Sequence, residues 1–197
     1  MNYIIKNMGR KMKLPNKKYN IIYADPPWNY NFKTNKSIKN NIRGCAEQHY
    51  KTMNLNELNN LSINNICNKD CILFMWATFP CIQNALDLIK GWGFKYKTVG
   101  FVWVKITKDN KPAWGCGFWT RSNVELCLIG IKGHPKRIAK NIHQVVMSPR
   151  GIHSKKPDEV KKRIVELIGD LPRIELFARE KTEGWDCWGN EIKDGLP

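Results

Sequence analysis

Residues 19–30 read YNIIYADPPWNY, an apolar-leaning run that stops abruptly in Asp25-Pro26-Pro27-Trp28. Two consecutive prolines remove two amide donors and narrow the backbone angles around them. The carbonyls of this segment are expected to be free and fixed in direction, with a carboxylate and an indole beside them. A cluster built only of acceptors suits a partner that only donates, an amino group, and Trp28 can stack on a planar ring that carries it. An aromatic amine is a weak nucleophile because its lone pair spreads into the ring. Two acceptors on its hydrogens draw the nitrogen toward tetrahedral geometry and localise that pair, so that it can attack an electrophilic methyl directly. The protein then contributes positioning and charge placement, with no covalent intermediate. The competing reading is a rigid strand-ending turn with a core tryptophan.

Other elements must hold this turn. Tyr19–Ala24 reads as a short buried strand. Residues 1–18 read as a basic, irregular N-terminal arm, and 19–197 as a single domain. Apolar runs at 71–78, 97–105, 124–133, 143–148 and 172–178 predict further strands. Leu55, Leu58 and Leu61 have helical spacing; a helix opens at Pro80 and ends at the GWG of 91–93. Another starts at Lys156-Pro157-Asp158-Glu159, where proline and acids suit the first turn. Residues 29–53 and 107–123 read as long loops. This alternation predicts an α/β layered fold with a mostly parallel sheet. In such sheets ligands bind beyond the carboxyl ends of the strands, where the DPPW turn and both loops should gather.

The chain has 33 Lys+Arg against 17 Asp+Glu, a formal charge of +16 over 197 residues. Polyanions, nucleic acid first among them, are the expected partners. Lys132, Lys136, Arg137 and Lys140 in KGHPKRIAKN form the densest basic cluster, with Lys33, Lys36, Lys39 and Arg43 a second. Both suit phosphate contacts that are salt-sensitive and largely indifferent to sequence. WTRSNVE supplies Trp119, Arg121, Asn123 and Glu125; these could read flanking nucleotides or order the site, or simply cap a loop entering a strand. Trp114, Phe118 and Trp119 could stack on bases or pack the loop. Seven cysteines include no CxxC, and most lie in apolar strings where a thiol behaves as a small hydrophobe. The four histidines do not complete a metal-ligand pattern, so no metal is expected. Reduced thiols, no signal-like N-terminus and no apolar run near the roughly 20 residues of a membrane span point to the cytoplasm and away from membranes.

The strand with DPPW resembles the catalytic motif of amino methyltransferases. EQHYKTM (47–53), LFMWAT (73–78), GFVWVK (100–105), WTRSNVELCLIGIKG (119–133), SKKPDE (154–159), IELFARE (174–180) and GWDCWGNE (184–191) narrow the likeness to the MT-A family of N6-adenine methyltransferases. That family includes compact phage and bacterial DNA adenine methylases and the catalytic subunit of the messenger-RNA adenosine methyltransferase. The resemblance covers about residues 19–191. It implies a Rossmann-like class I methyltransferase fold with helices on both faces, in which the catalytic motif precedes the main cofactor-binding region. By this likeness S-adenosyl-L-methionine is the cofactor. Asp25 and the Pro26 carbonyl hold the target amine, Pro27 stiffens the turn and Trp28 stacks near the adenine. Tyr50 and Met53 match a loop closing over the site. Lys156 meets the cofactor or substrate edge, and Arg179, Asn190 and Glu191 bind the cofactor together with Asp25. Glu180-Lys181 departs from the messenger-RNA enzyme's pattern, and the glycine-rich loop of many methyltransferases is missing.

The implied activity is methyl transfer to the N6 amino group of adenine in DNA, in a bacterial or infected-host cytoplasm. The alternatives are the same chemistry on RNA, or an inactive nucleic-acid-binding subunit of a methyltransferase complex. So short a chain leaves little for sequence recognition, which a homodimer or partner subunit could share.

Overall fold

In the central strand Cys67–Ala77 (β2), alternation decides which layer each side chain meets. Cys71, Leu73, Met75 and Ala77 join a core cluster with Leu58 of Leu55–Asn59 (α1) and Ala85, Leu88 and Ile89 of Ile82–Gly91 (α2). Ile72, Phe74 and Trp76 face the other way, toward Val160, Ile164 and Ile168 of Asp158–Ile168 (α3). The expected α/β sheet with helices on both faces is therefore present. This computed structural model describes residues 13–29, 52–115, 117, 119–151 and 155–192.

Six more strands complete the sheet: Tyr19–Ala24 (β1), Lys95–Ile106 (β3), Val124–Lys132 (β4), Val145–Pro149 (β5), Arg173–Leu176 (β6) and Asp186–Trp188 (β7). Their order is β5-β3-β4-β2-β1-β6-β7. β1 pairs in parallel with β2 and β6, β6 with β7, and β3 with β5. β4 alone runs against both its neighbours. All strands except β4 thus end at one edge, and β4 starts there.

Some boundaries differ from the sequence expectation for physical reasons. β2 starts at Cys67 rather than residue 71: Cys67 already pairs with Tyr19, and the polar, incompletely buried Asn68-Lys69-Asp70 stretch is taken up in a register irregularity before regular pairing resumes at Ile72 with Ile21. β6 stops at Leu176, since Phe177 takes φ 61°, a left-handed conformation that breaks the extended run. Residues 13–18 have no regular structure but lie against β7. The Trp188 indole N–H donates to the Lys13 carbonyl at 3.2 Å, and Lys17 and the Tyr19 hydroxyl both reach Asp186, at 2.7 and 2.8 Å. No helix among the described residues is long and apolar enough to cross a membrane.

Candidate active site

The carboxyl edge collects the ends of β1, β6 and β7 and the start of β4. Directly after β1, the Trp28 amide donates to the Pro26 carbonyl at 2.8 Å, folding the diproline into a tight turn. The Pro27 carbonyl accepts the Met53 amide, also at 2.8 Å, and Trp28 and Met53 form an isolated parallel bridge. The expectation of free carbonyls is corrected here: both already accept one backbone N–H, so a further donor at Pro26 would use its second lone pair. Trp28 is 5 % exposed, sits in the core cluster, and donates its indole N–H to the Trp76 carbonyl at 3.0 Å. The indole thus anchors the turn to β2. Tyr50 lies outside the described residues, as do Phe118 and the basic group Lys33, Lys36, Lys39 and Arg43.

Asp25 opens a row of alternating charges. Its Oδ2 accepts from Lys156 Nζ at 2.6 Å; Lys156 also lies 3.2 Å from Glu125 Oε2, and Glu125 Oε1 meets Lys105 Nζ at 2.5 Å. Lys156 and Glu125 side chains are only 10 % and 9 % exposed, Asp25 29 %. Beneath the row is an aromatic floor. Lys156 Nζ stands 5.6 Å from the Trp76 ring, Lys105 Nζ 5.1 Å from Trp103, and the two indoles meet edge to face at 6.3 Å. Burial pushes the Asp25 carboxyl above the usual range, with Lys156 opposing it. Burial also acts on Glu125, but Lys156 and Lys105 overcome it and hold that carboxyl below its usual range. Lys156 is desolvated, yet the two carboxylates hold its ammonium above the ordinary value. At neutral pH the row is built to keep Lys156 charged between two acids.

The second half of the edge follows β6 and β7. Arg179 Nε lies 3.8 Å from Glu191 Oε1, and Asn190 is exposed beside them. The two loops meet because Gly189 passes directly over Ala178. A Cβ there would overlap the Ala178 carbonyl oxygen and lie 2.6 Å from its amide nitrogen and 2.9 Å from its carbonyl carbon, all backbone atoms that cannot swing away. Gly189→Ala is accordingly expected to separate the segments carrying Arg179 and Asn190 and to cost about 1–3 kcal/mol, as overpacking typically does. For a domain of this size that lowers Tm by roughly 2–12 °C; an unchanged melting curve would remove the glycine's assigned role.

Of the other residues singled out above, Asn123 and Glu125 lie at this edge, the Asn123 carbonyl accepting the Lys105 amide at 2.8 Å. Trp119 and Arg121 lie in the loop between β3 and β4, whose ends are both at this edge. Lys136 and Arg137 do not join them. They follow the C-terminal end of β4, which is the far edge: seven steps separate Glu125 from Lys132, about 23 Å of strand. The Ile138 amide then caps the Leu167 carbonyl at the far end of α3. Lys136 and Arg137 can therefore meet a long polyanion but not the group held at Asp25. Sequence reasoning missed Lys105, Trp76 and the buried Lys161–Glu175 pair, whose 2.6 Å contact ties α3 to β6 while Lys161 donates to Thr182 at 2.7 Å. The only sequence signal for Lys105 was its place at the end of an apolar strand.

A mostly parallel α/β sheet with an Asp-Pro-Pro-Trp turn at the carboxyl end of its first strand has the make-up of a Rossmann-like methyltransferase. The MT-A70 family model matches residues 19–191, and the chain belongs to that methyltransferase family. It is 42 % identical over 195 residues to the Type II methyltransferase M.MunI of Mycoplasma sp, covering 92 % of this chain and 81 % of that protein. It is 27 % identical over 184 residues to the N(6)-adenosine-methyltransferase catalytic subunit METTL3 of Homo sapiens, and 27 % over 179 residues to an MT-A70-like N(6)-adenosine-methyltransferase of Arabidopsis thaliana. Those matches cover 91 % and 88 % of this chain but only 29 % and 24 % of the larger proteins.

Proposed function

We propose that the protein transfers a methyl group from S-adenosyl-L-methionine to the N6 amino group of adenine in DNA. The observation that carries this reading is the Asp25–Lys156 pair at the mouth of the diproline turn, in a chain so similar to a Type II methyltransferase. The polar groups after β6 and β7 fit the cofactor: a guanidinium, an amide and a carboxylate suit the hydroxyls, ring edge and charged tail of an amino-acid nucleoside. Arg179, Asn190 and Glu191 would hold it, with Asp25 and Lys156 at its inner side. When bound, it supplies an electrophilic methyl.

The chain's own groups do the rest. Asp25 accepts one hydrogen of the target amine through the capacity that Lys156 leaves on its carboxylate, and the second lone pair of the Pro26 carbonyl accepts the other. As the nitrogen–carbon bond forms and the methyl's bond to sulfur breaks, leaving a neutral thioether, positive charge grows on the amine nitrogen; the Asp25 carboxylate stabilises it, and the surplus amine proton leaves to solvent. Lys156 keeps Asp25 ionised and therefore an acceptor. The net charge of +16 supplies the attraction for the polyanion, and a duplex target must have its adenine turned out of the stack.

The same chemistry on RNA is the second reading, favoured by the names of the METTL3-type relatives. Expression in cells lacking adenine methylation, followed by mapping of N6-methyladenine in DNA and N6-methyladenosine in RNA, separates the two. A DNA signal lost on Asp25→Ala is the expected result. A signal in RNA alone overturns the DNA assignment, and none in either overturns the activity.

A further inference from the structure

Of eight tryptophans, Trp28, Trp76, Trp92, Trp103, Trp185 and Trp188 are buried. Trp114 and Trp119 are 75 % and 100 % exposed, and both belong to the loop joining β3 to β4. Leaving two indoles in water forgoes a large hydrophobic gain, so their placement on one loop asks for an occupant. The base of this loop is well braced. Ile106 and Pro112 bridge, the Thr107 amide donates to the Lys111 carbonyl at 2.8 Å, and the Ala113 amide to the Lys105 carbonyl at 2.8 Å. Further out the loop doubles on itself. Gly115 and Gly117 pass so close to Ser122 and Thr120 that a Cβ on either would overlap a carbonyl oxygen. Only glycine fits at either position.

The two indoles are not equivalent. The Arg121 guanidinium covers Trp114 at 5.5 Å, whereas Trp119 carries its whole surface bare. The loop departs after Lys105 and returns at Glu125, the far members of the charge row that ends in Asp25. Both ends of the loop therefore lie on the sheet edge that carries Asp25.

We propose that Trp119 is a stacking wedge for duplex DNA: it enters the base stack beside the target adenine and props the helix while that base lies at Asp25, with Arg121 on the flanking phosphates. The proposal rests on the nucleic-acid reading and deepens it by making the preferred substrate a duplex. Charge favours this occupant over a protein surface, because the chain is strongly cationic and the residue over the Trp114 indole is an arginine. A flat aromatic ring stacks on any base, so the device is compatible with any recognition sequence. An apolar wedge between base steps offsets the unstacking that base extrusion requires.

The test measures initial rates of labelled methyl transfer into native plasmid DNA and into the same DNA heat-denatured, for wild type, Trp119→Ala and Trp119→Phe. In Trp119→Ala the ratio of duplex to single-strand rate is expected to fall about 10- to 100-fold, the span set by base–aromatic stacking; Trp119→Phe is expected to restore most of it. An unchanged ratio in Trp119→Ala overturns the wedge while leaving the methyltransferase reading intact. Equal loss on both substrates, with a change in oligomeric state on a sizing column, assigns Trp119 to a protein contact instead and also overturns it. If wild type methylates neither form of DNA, the nucleic-acid reading falls and the wedge with it.

Discussion

Asp25→Ala is expected to lower kcat/KM for methyl transfer by about a thousandfold, the scale of removing a preorganised electrostatic partner from a developing charge. The residue ends β1 with its carboxylate held at 2.6 Å by Lys156, and the backbone carbonyls that share the turn each already accept an amide. On the proposed mechanism the amine then has one acceptor rather than two, and its lone pair is expected to return to the ring. The fold is expected to survive, because Lys156 keeps Glu125 at 3.2 Å as a partner. The loss of stability should stay below the about 3–5 kcal/mol of a fully orphaned buried charge. Asp25→Asn, which preserves shape and adds a donor in place of an acceptor oxygen, is expected to be nearly as inactive. Labelled methyl transfer, read beside thermal melting and nucleic-acid binding, checks all three statements. Activity within tenfold of wild type in a folded Asp25→Ala protein would remove Asp25 from the chemistry.

How much of this site could be read from sequence depends on how far apart its parts lie along the chain. The DPPW turn was legible because its strand, its stiffness and its acid are contiguous. Its ion pair was not: the family resemblance put Lys156 at the cofactor or substrate edge, but Asp25 and Lys156 are 131 residues apart, and only the return of the chain through β5 to the head of α3 brings them into contact. Likewise the Pro27 carbonyl looked free because nothing local revealed that Met53 returns to it. Trp28 showed its type but not its burial, which depends on the Trp76 carbonyl of a neighbouring strand. Glu125 was visible at the start of an apolar run, yet the long loop before it hid its pairing with Lys105. Lys136 and Arg137 illustrate the limit from the other side. A charge cluster carries no information on strand direction, and the antiparallel course of β4 delivers this one to the far edge. The α/β layering and the helix faces were legible, because burial periodicity is a local property of each element.

Lys156→Ala is expected to reduce kcat/KM near pH 7 by about a hundredfold and to move the acid limb of its pH profile upward. In the wild-type protein burial already holds the Asp25 carboxyl above its usual range, and Lys156 is the main opposing influence. Removing that ammonium leaves Asp25 and Glu125 as two desolvated acids with no cation between them. Glu125 retains Lys105 at 2.5 Å and stays ionised, so the shared proton settles on Asp25. On the proposed mechanism a protonated Asp25 presents a donor to an amine that needs an acceptor, and transfer is expected to stop until rising pH ionises it. Stability follows the opposite course. A carboxyl whose folded pKa lies above its unfolded value of about 3.9 stabilises the fold below that value, and the contribution is lost as pH rises through the folded pKa. The variant is therefore expected to melt at lower temperature as pH rises toward the range where its activity returns, the two curves crossing in opposite senses. Lys156→Arg, which keeps the charge, is expected to leave the acid limb near its wild-type position. Parallel pH series of rate and Tm decide the matter. A fall in rate that is equal at every pH would assign Lys156 to binding alone and detach it from the ionisation of Asp25.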